Sequence, residues 1–381
     1  MNELTYSDLE ELKPLWAPIP PGQLIQRELD ALHVSQSELA LRLGVSKKHL
    51  NQVVNGVAPL SADLALALER TIGAPAQVLL RFEADWRAHN VVVDSKSSLS
   101  SHLHWIENFP RDVLLERNIV DENDDELTVV EKLLRFFGVN DPSAFEKVFL
   151  APQVKYKRNV THEFDQFNTA LWLRLVARKA TERTATASPY SAESLRAAAS
   201  ELRRATTAPI DVGFRAMQER LLSAGVILTF VPEISDTRIS VATLWLSSDR
   251  PLIALTDRYK FVDSFWFSLA HSISHVLLHL KRTTFVDDHS DHSIESIHER
   301  LNEADEHERA ANKFAEQLLL GSDGLKLLAG LDTHEELGSV ARSRGVDPGI
   351  IAGLYGDSSR KGVKFRNERK RADLASSLAQ P

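Results

Sequence analysis

The stretch FWFSLAHSISHVLLHL at residues 265–280 surrounds a pair of histidines, His271 and His275, with apolar residues. On an α-helix, residues four positions apart lie one turn apart on the same face, so the two imidazoles project side by side. Two histidines at this spacing on a helix are a common pair of zinc ligands. The stretch therefore predicts an apolar helix that offers two ligand positions to a metal ion on one face.

The residue after the first histidine decides how this helix is interpreted. Zinc metallopeptidases carry the pattern H-E-x-x-H, in which the glutamate takes a proton from the metal-bound water. Here Ser272 occupies the glutamate position. A serine hydroxyl is a poor general base, and loss of that base costs about 10²–10⁴-fold in rate. We therefore expect no catalytic residue at this position, although residual hydrolysis by a bound metal is an open alternative.

The segments around this helix predict a small domain that contains both strands and helices. Apolar runs that are β-branched or alternating predict three short strands at residues 226–231, 238–246 and 252–256. An acidic loop follows the histidine pair, and residues 299–320 predict a second helix. A small sheet followed by two helices, with the histidine pair on the first, is the minimal layout of a zinc-dependent peptidase core.

The segment FSLAHSISHVLLH, followed by ERAANKFAEQLL, resembles the ImmA/IrrE family of metallopeptidases over about residues 211–320. The resemblance implies a zincin-like domain at 211–357 with zinc as its ion. A hydrogen-bonded group that holds no metal is the alternative. The site residues that the resemblance implies are His271, His275 and Glu308 as metal ligands, and Asn312 as the residue that hydrogen-bonds a ligand histidine.

The loop between the two predicted helices carries further histidines in an acidic stretch. Short histidine-rich tracts sometimes bind metals, but solvation is the default interpretation of an acidic loop. We treat this loop as the weaker candidate for a metal site. Its histidines are His289, His292, His298 and His307.

The pattern of residues 21–90 predicts a compact unit of five short helices. Ser35 precedes the second helix and Ser46 precedes the third, and serine is a preferred N-cap residue. Gly44 between them can take the positive φ that ends a helix. Two short helices joined by such a tight turn are typical of a helix-turn-helix, whose second helix enters the major groove of DNA.

The run SQSELALRLGVSKKHLNQVVNG at residues 35–56 resembles the DNA-binding domain of Xre/Cro-type repressors, in particular of HigA/VapI-like antidote proteins. The resemblance implies a phosphate contact from the start of the second helix. It also implies that amides and cations on the third helix face base edges in the major groove. A small helical bundle with a solvated polar face is the alternative interpretation. The DNA-binding residues implied are Gln36, Ser46, Lys47, Lys48, Asn51 and Gln52.

The fold class predicted for the whole chain is mainly α with a small β-sheet (α+β). Residues 1–20 form an N-terminal extension, and the Ser-rich residues 91–105 predict a linker. Residues 106–210 predict a helical middle region that acts as a scaffold or pairs with a partner. Residues 358–381 form a basic tail that we expect to be disordered. Two alternatives are that it adds sequence-independent affinity for DNA or docks an acidic partner.

Composition limits the classes of function. The net charge of −8 excludes a wholly basic nucleic-acid binder, so contact with DNA has to come from a local surface. The absence of cysteine excludes disulfides and thiolate metal sites. No apolar run approaches membrane-spanning length, and residues 1–20 lack the pattern of a signal peptide. We therefore expect a cytoplasmic protein that has no membrane partner.

Together these features predict a DNA-binding transcriptional regulator of the antitoxin type. The helix-turn-helix would bind operator DNA as a homodimer, because one motif reads a half-site, and would regulate its own operon. The impaired ImmA/IrrE-like domain would bind a protein or sense a signal, and a toxin is the expected partner. Two alternatives stay open: an active zinc peptidase that cleaves a repressor, and a phage-type repressor that senses a ligand or damage signal.

Overall fold

The structure of the chain, a computed structural model, describes most of the sequence. The residues described are 18–150, 165–235, 237–258, 261–278, 285–287, 306–359 and 364–378. The chain divides into two compact units between His104 and Trp105. Of the helices in these ranges, none combines the length and the hydropathy that are needed to cross a bilayer. The predicted N-terminal extension lies outside the described residues except for residues 18–20.

The first unit is helical, as the sequence predicts. Its apolar helix faces meet in one core, in which Ile25, Leu39 and Leu50 are fully buried. The helices described within residues 18–104 are α1 (Pro21–Leu32), α2 (Gln36–Leu43), α3 (Lys47–Val54), α4 (Ala62–Ile72) and α5 (Ala76–Ser100).

Local signals set the ends of α2 and α3. The hydroxyls of Ser35 and Ser46 each accept a hydrogen bond from the backbone N–H three residues later, at 3.2 and 3.1 Å. Gly44 ends α2 with a φ of 68°, which residues other than glycine rarely adopt. A Cβ atom at Gly22 would lie 1.6 Å from the Val54 carbonyl oxygen. Only glycine therefore allows α1 to approach the end of α3 this closely.

The fifth helix is longer than the sequence predicts. The Ser-rich residues 91–105 predict a linker, but α5 continues through them to Ser100, and a 3-10 helix follows at Leu103–Asn108. No glycine or proline interrupts residues 76–100, and serine disfavours a helix much less than glycine or proline does. Serine content alone therefore indicated the wrong secondary structure for this segment.

The second unit combines helices with one sheet, which confirms the predicted α+β class. Its described helices before the sheet are α6 (Arg111–Glu116), α7 (Glu126–Phe137), α8 (Pro142–Phe145) with a π-turn at Glu146–Leu150, α9 (Gln166–Thr184), α10 (Ala192–Ser200), α11 (Leu202–Thr206) and α12 (Ile210–Ser223). Its described strands are β1 (Ile227–Phe230), β2 (Val241–Ser247), β3 (Arg250–Leu255) and β4 (Phe285–Asp287). The later helices are α13 (Val262–Leu278), α14 (Glu306–Leu320), α15 (Gly324–Ala329), α16 (His334–Arg344), α17 (Pro348–Ser359) and α18 (Leu374–Leu378), with a 3-10 turn at Arg366–Glu368.

The sheet has the strand order β1-β3-β2-β4. Strand β1 is parallel to β3, whereas β2 is antiparallel to both β3 and β4. The three strands predicted from the sequence are β1, β2 and β3. Strand β4 was not predicted from the sequence, because a strand of three residues is too short to show an alternating pattern.

Helix α13 lies at the buried centre of the second unit. Every residue from Asp263 to Val276 is buried. The helix contacts β2, β3, α14 and α17. A helix that is apolar on all sides is typical of a position surrounded by other elements, which agrees with the apolar run at 265–280.

The middle region, residues 106–210, belongs to the second unit through α9. Trp172 on α9 is fully buried, and its Nε1 donates a hydrogen bond to the Val231 carbonyl at 3.2 Å. The Lys179 ammonium donates to the carbonyl of Phe230 at 3.1 Å. Of the two roles that the sequence left open for this region, these contacts support the scaffold.

The end of the chain differs from the expectation. The basic composition of residues 358–381 predicts disorder, but residues 364–378 pack against the second unit, and Phe365 is buried there. The guanidinium of Arg369 lies 2.8 Å from the carboxylate of Asp263 on α13. The prediction was wrong for 364–378 because three of its cations, Lys364, Arg369 and Lys370, have acidic partners, and its apolar residues Phe365, Leu374 and Leu378 are buried.

Candidate nucleic-acid interface and metal centre

Helix α3 is anchored on one side and exposed on the other. Leu50 and Val53 are fully buried in the core of the first unit. Lys47, Lys48 and Asn51 are exposed. Neither lysine forms an ion pair within the described part of the chain, so both ammonium groups are available to phosphates. The helix therefore presents two cations and one amide to solvent, and DNA-binding helices use such side chains.

The remaining residues predicted to bind DNA are Gln36, Ser46 and Gln52. Ser46 is exposed but its hydroxyl caps α3, and Gln52 is half-buried. Gln36, the first residue of α2, donates from Nε2 to Gln26 Oε1 at 2.9 Å and accepts from Asn51 Nδ2 at 3.4 Å. The structure thus brings Gln36 and Asn51 together. The contact of Gln26 with Gln36 was not predicted from the sequence, because the two residues lie on different helices.

The candidate metal centre lies between α13 and α14. His271 and His275 project from successive turns of α13, and Glu308 faces them from α14. The two imidazole Nε2 atoms are 2.8 Å apart, and they lie 3.1 and 3.5 Å from the oxygens of Glu308. All three side chains are buried. Among the residues that the structure describes, they form the one group of histidine and acidic side chains that could hold a metal ion.

Asn312 determines which nitrogen of His271 carries a proton. Its Oδ1 lies 2.9 Å from His271 Nδ1. Because a carbonyl oxygen accepts hydrogen bonds and does not donate them, Nδ1 is protonated, and Nε2 of the neutral ring carries a lone pair that faces both His275 Nε2 and Glu308. A lone pair and a carboxylate oxygen that are 3.1 Å apart repel each other unless a cation lies between them. A proton on Nε2 of either histidine, or a metal ion between the three side chains, would remove this repulsion.

The Glu308 carboxylate is buried and yet ionised. Burial raises the pKa of Glu308, but hydrogen bonds and charge attraction from His271 and His275, when their rings are protonated, outweigh burial and hold that pKa well below its ordinary value. The carboxylate is thus negatively charged while it faces protonated imidazoles, and a metal ion would replace those protons as its positive partner.

The separations between the two imidazole nitrogens and the two Glu308 oxygens are close to those around a tetrahedral ion. Zinc binds imidazole nitrogen and carboxylate oxygen at about 2.0–2.2 Å, which separates neighbouring ligand atoms by about 3.3–3.6 Å. The observed separations of 2.8, 3.1 and 3.5 Å lie in this range or within about 0.5 Å of it. Two imidazoles and a carboxylate leave one coordination position open, where a bound zinc ion supplies Lewis acidity. The residues therefore fit a divalent ion such as zinc.

Ser272, which follows the candidate ligand His271 on α13, is fully buried. Its hydroxyl has no hydrogen-bond partner among the residues that the structure describes. The hydroxyl is not basic enough to take a proton from water at neutral pH. The centre can therefore hold an ion, but Ser272 does not supply the general base that peptide hydrolysis needs.

The second group of histidines is described only at its end. His289, His292 and His298 lie outside the described residues. His307 is exposed on the first turn of α14 and does not belong to the buried group, although Glu308 follows it directly.

Comparison with known proteins identifies the first unit. A helix-turn-helix family model matches residues 25–79, which run from α1 into the start of α5. The chain is 32% identical over 66 residues to YddM, an uncharacterized HTH-type transcriptional regulator of Escherichia coli, and the match covers 17% of this chain and 70% of the relative. No solved structure matches the chain. Through its first unit, the chain belongs to the helix-turn-helix family of transcriptional regulators.

Proposed function

We propose that this regulator is of the antitoxin type and controls its own operon through operator DNA. The exposed face of α3 supports DNA binding by this helix. Lys47, Lys48 and Asn51 project from it, while the opposite face is buried in the core. One recognition helix reads only a half-site, so the protein acts as a homodimer on two half-sites about 34–36 Å apart.

Replacement of Lys48 and Gln52 tests this assignment. Lys48→Ala is expected to weaken binding to all DNA sequences and to reduce the salt slope of the affinity by about 1, because one phosphate contact is lost. Gln52→Ala is expected to cost about 1–3 kcal/mol at the base pair that its amide contacts. Both effects are measured by mobility shift of the DNA upstream of this gene at several salt concentrations.

Arg70→Ala is the matched control for Lys48→Ala. It removes one exposed positive charge from α4 of the same unit, and it is expected to leave the affinity and the salt slope unchanged. If the Lys48 and Gln52 variants both bind as the wild type does, α3 is not the recognition helix.

The second unit is proposed to be an ImmA/IrrE-like module that binds a protein or senses a signal and does not cut peptide bonds. The buried group of His271, His275 and Glu308 supports the likeness, and Ser272 supports the loss of hydrolysis. The proposed partner is a toxin encoded beside this gene. Co-expression with the neighbouring reading frame tests it: relief of toxicity by the full chain supports the antitoxin, and a neighbour without toxicity favours a phage-type repressor.

A zinc peptidase that cleaves a repressor is the second candidate function, and the buried ligand group favours it. Ser272→Glu is expected to restore the general base and to raise the hydrolysis of a repressor substrate by about 10²–10⁴-fold over wild type. Ser272→Gln is the control, since it has the size of glutamate without its basicity. The rate is measured with the zinc-loaded full chain. A wild-type chain that hydrolyses as fast as Ser272→Glu would contradict the impaired module.

A further inference from the structure

Five polar side chains of the first unit form one continuous series of hydrogen bonds, which we name the amide relay. It links α1, α2 and α3, and two of its members, Gln36 and Asn51, are also predicted DNA contacts. Its members, with donor-to-acceptor distances, are Asn55 to Asn51 (2.9 Å), Asn51 to Gln36 (3.4 Å), Gln36 to Gln26 (2.9 Å) and Gln26 to Asp30 (2.8 Å).

The relay has one direction, and Asp30 sets it. An ionised carboxylate only accepts hydrogen bonds, so Gln26 must turn its Nε2 towards Asp30. This leaves Gln26 Oε1 to accept from Gln36, whose Oε1 in turn accepts from Asn51. Every amide therefore donates towards α1, and the side-chain orientation of Asn51 depends on a carboxylate two helices away.

The relay leaves the exposed Asn51 amide with one donor and one acceptor. Its Nδ2 uses one N–H on Gln36, and its Oδ1 uses one lone pair on Asn55. In the major groove adenine presents an N6 donor beside an N7 acceptor, and one amide pairs with both. Guanine presents two acceptors and so needs two donors, whereas Asn51 has a single N–H left.

We propose that Gln26 and Asp30 are positioning residues for base recognition, which hold the Asn51 amide in the orientation that pairs with adenine. This proposal rests on the proposed function, because α3 has to enter the major groove. A reversed Asn51 amide would place its N–H against the N6 amino group and its oxygen against N7. An Asn51 amide of fixed orientation therefore selects adenine on one strand. Gln26 and Asp30 contribute to this specificity from α1 without touching a base.

Selection from random DNA tests the proposal. The full chain is incubated with a pool of random-sequence duplexes, the bound fraction is sequenced, and affinities are measured for the selected duplex and its single-base replacements. The wild type is expected to prefer adenine at one position of each half-site by about 5- to 150-fold, and Asn51→Ala is expected to lose this preference.

Gln26→Ala and Asp30→Asn are expected to reduce the same preference and to leave the other positions unchanged. Asp30→Asn keeps the size of the side chain but lets either end of an amide face Gln26, so the direction of the relay is no longer forced. Melting temperature and salt slope are expected to stay at wild-type values, which separates positioning from a loss of structure. Gln23→Ala, which replaces an exposed glutamine of α1, is expected to keep the full adenine preference.

Three results would overturn the proposal in different ways. A full chain that selects no motif contradicts the proposed function and the relay together. A selected motif whose adenine preference survives in both Gln26→Ala and Asp30→Asn contradicts the relay alone. A motif in which Asn51→Ala relaxes the preference for another base contradicts the assignment of adenine.

Discussion

Trp172→Ala is expected to lower the free energy of unfolding of the second unit by about 3–5 kcal/mol. Trp172 is fully buried on α9, and its indole N–H donates to the Val231 carbonyl. Truncation leaves a cavity beside the sheet and removes the donor from a buried carbonyl, and both effects destabilise the fold. Thermal unfolding of the full chain, followed by circular dichroism, measures the change.

Trp172→Phe separates the two contributions. It keeps most of the aromatic volume and leaves the buried Val231 carbonyl without its donor, so we expect a smaller loss, about 1–3 kcal/mol. Wild-type stability in Trp172→Ala would mean that α9 is not part of the core. The middle region would then be free to pair with a partner, which is the other role that the sequence left open.

The parts of the fold that the sequence predicted are those that depend on neighbouring residues. The caps at Ser35 and Ser46 and the end of α2 at Gly44 follow from residues within one turn of each other. The apolar run at 265–280 likewise predicted α13 before its surroundings were known. Helices in the first unit and three of the four described strands were therefore predictable from local pattern.

The predictions that failed concern residues whose partners lie far away in the sequence. Arg369 pairs with Asp263, which lies 106 residues earlier, so the basic composition of the tail could not show that this charge has a partner. The contact of Gln26 with Gln36 joins two helices that the sequence predicted separately. Serine content indicated a linker where α5 continues, because composition does not measure helix propensity.

The candidate metal centre was predictable in part from local pattern and in part depends on residues far apart in the sequence. The spacing of His271 and His275 was visible in the sequence, but the sequence alone could not show that Glu308 comes within 3.5 Å of both imidazoles. The resemblance to a metallopeptidase family supplied Glu308 and Asn312. The structure adds the orientation of Asn312, whose oxygen faces Nδ1 of His271 and so leaves Nε2 directed at the centre.

Removal of one ligand is expected to abolish stoichiometric zinc binding. His275→Ala and Glu308→Gln each leave two ligands at the centre. Asn312→Ala removes only the hydrogen bond to His271 and is expected to weaken binding by about 10–100-fold, the usual effect of losing an outer partner. We expect the two ligand variants to lose more than this. Titration calorimetry of the metal-free full chain with zinc measures the affinities, and elemental analysis gives the stoichiometry.

His307→Ala decides which group of histidines holds the ion. His307 is exposed on α14 next to Glu308, so its removal is expected to leave zinc binding unchanged. Free zinc at about 100 times the dissociation constant stabilises a binding protein by about 2.7 kcal/mol. A zinc-dependent rise in melting temperature in wild type and His307→Ala, but not in His275→Ala, places the ion between α13 and α14. The opposite result assigns it to the second group of histidines, and the buried group is then a hydrogen-bonded cluster held together by a proton.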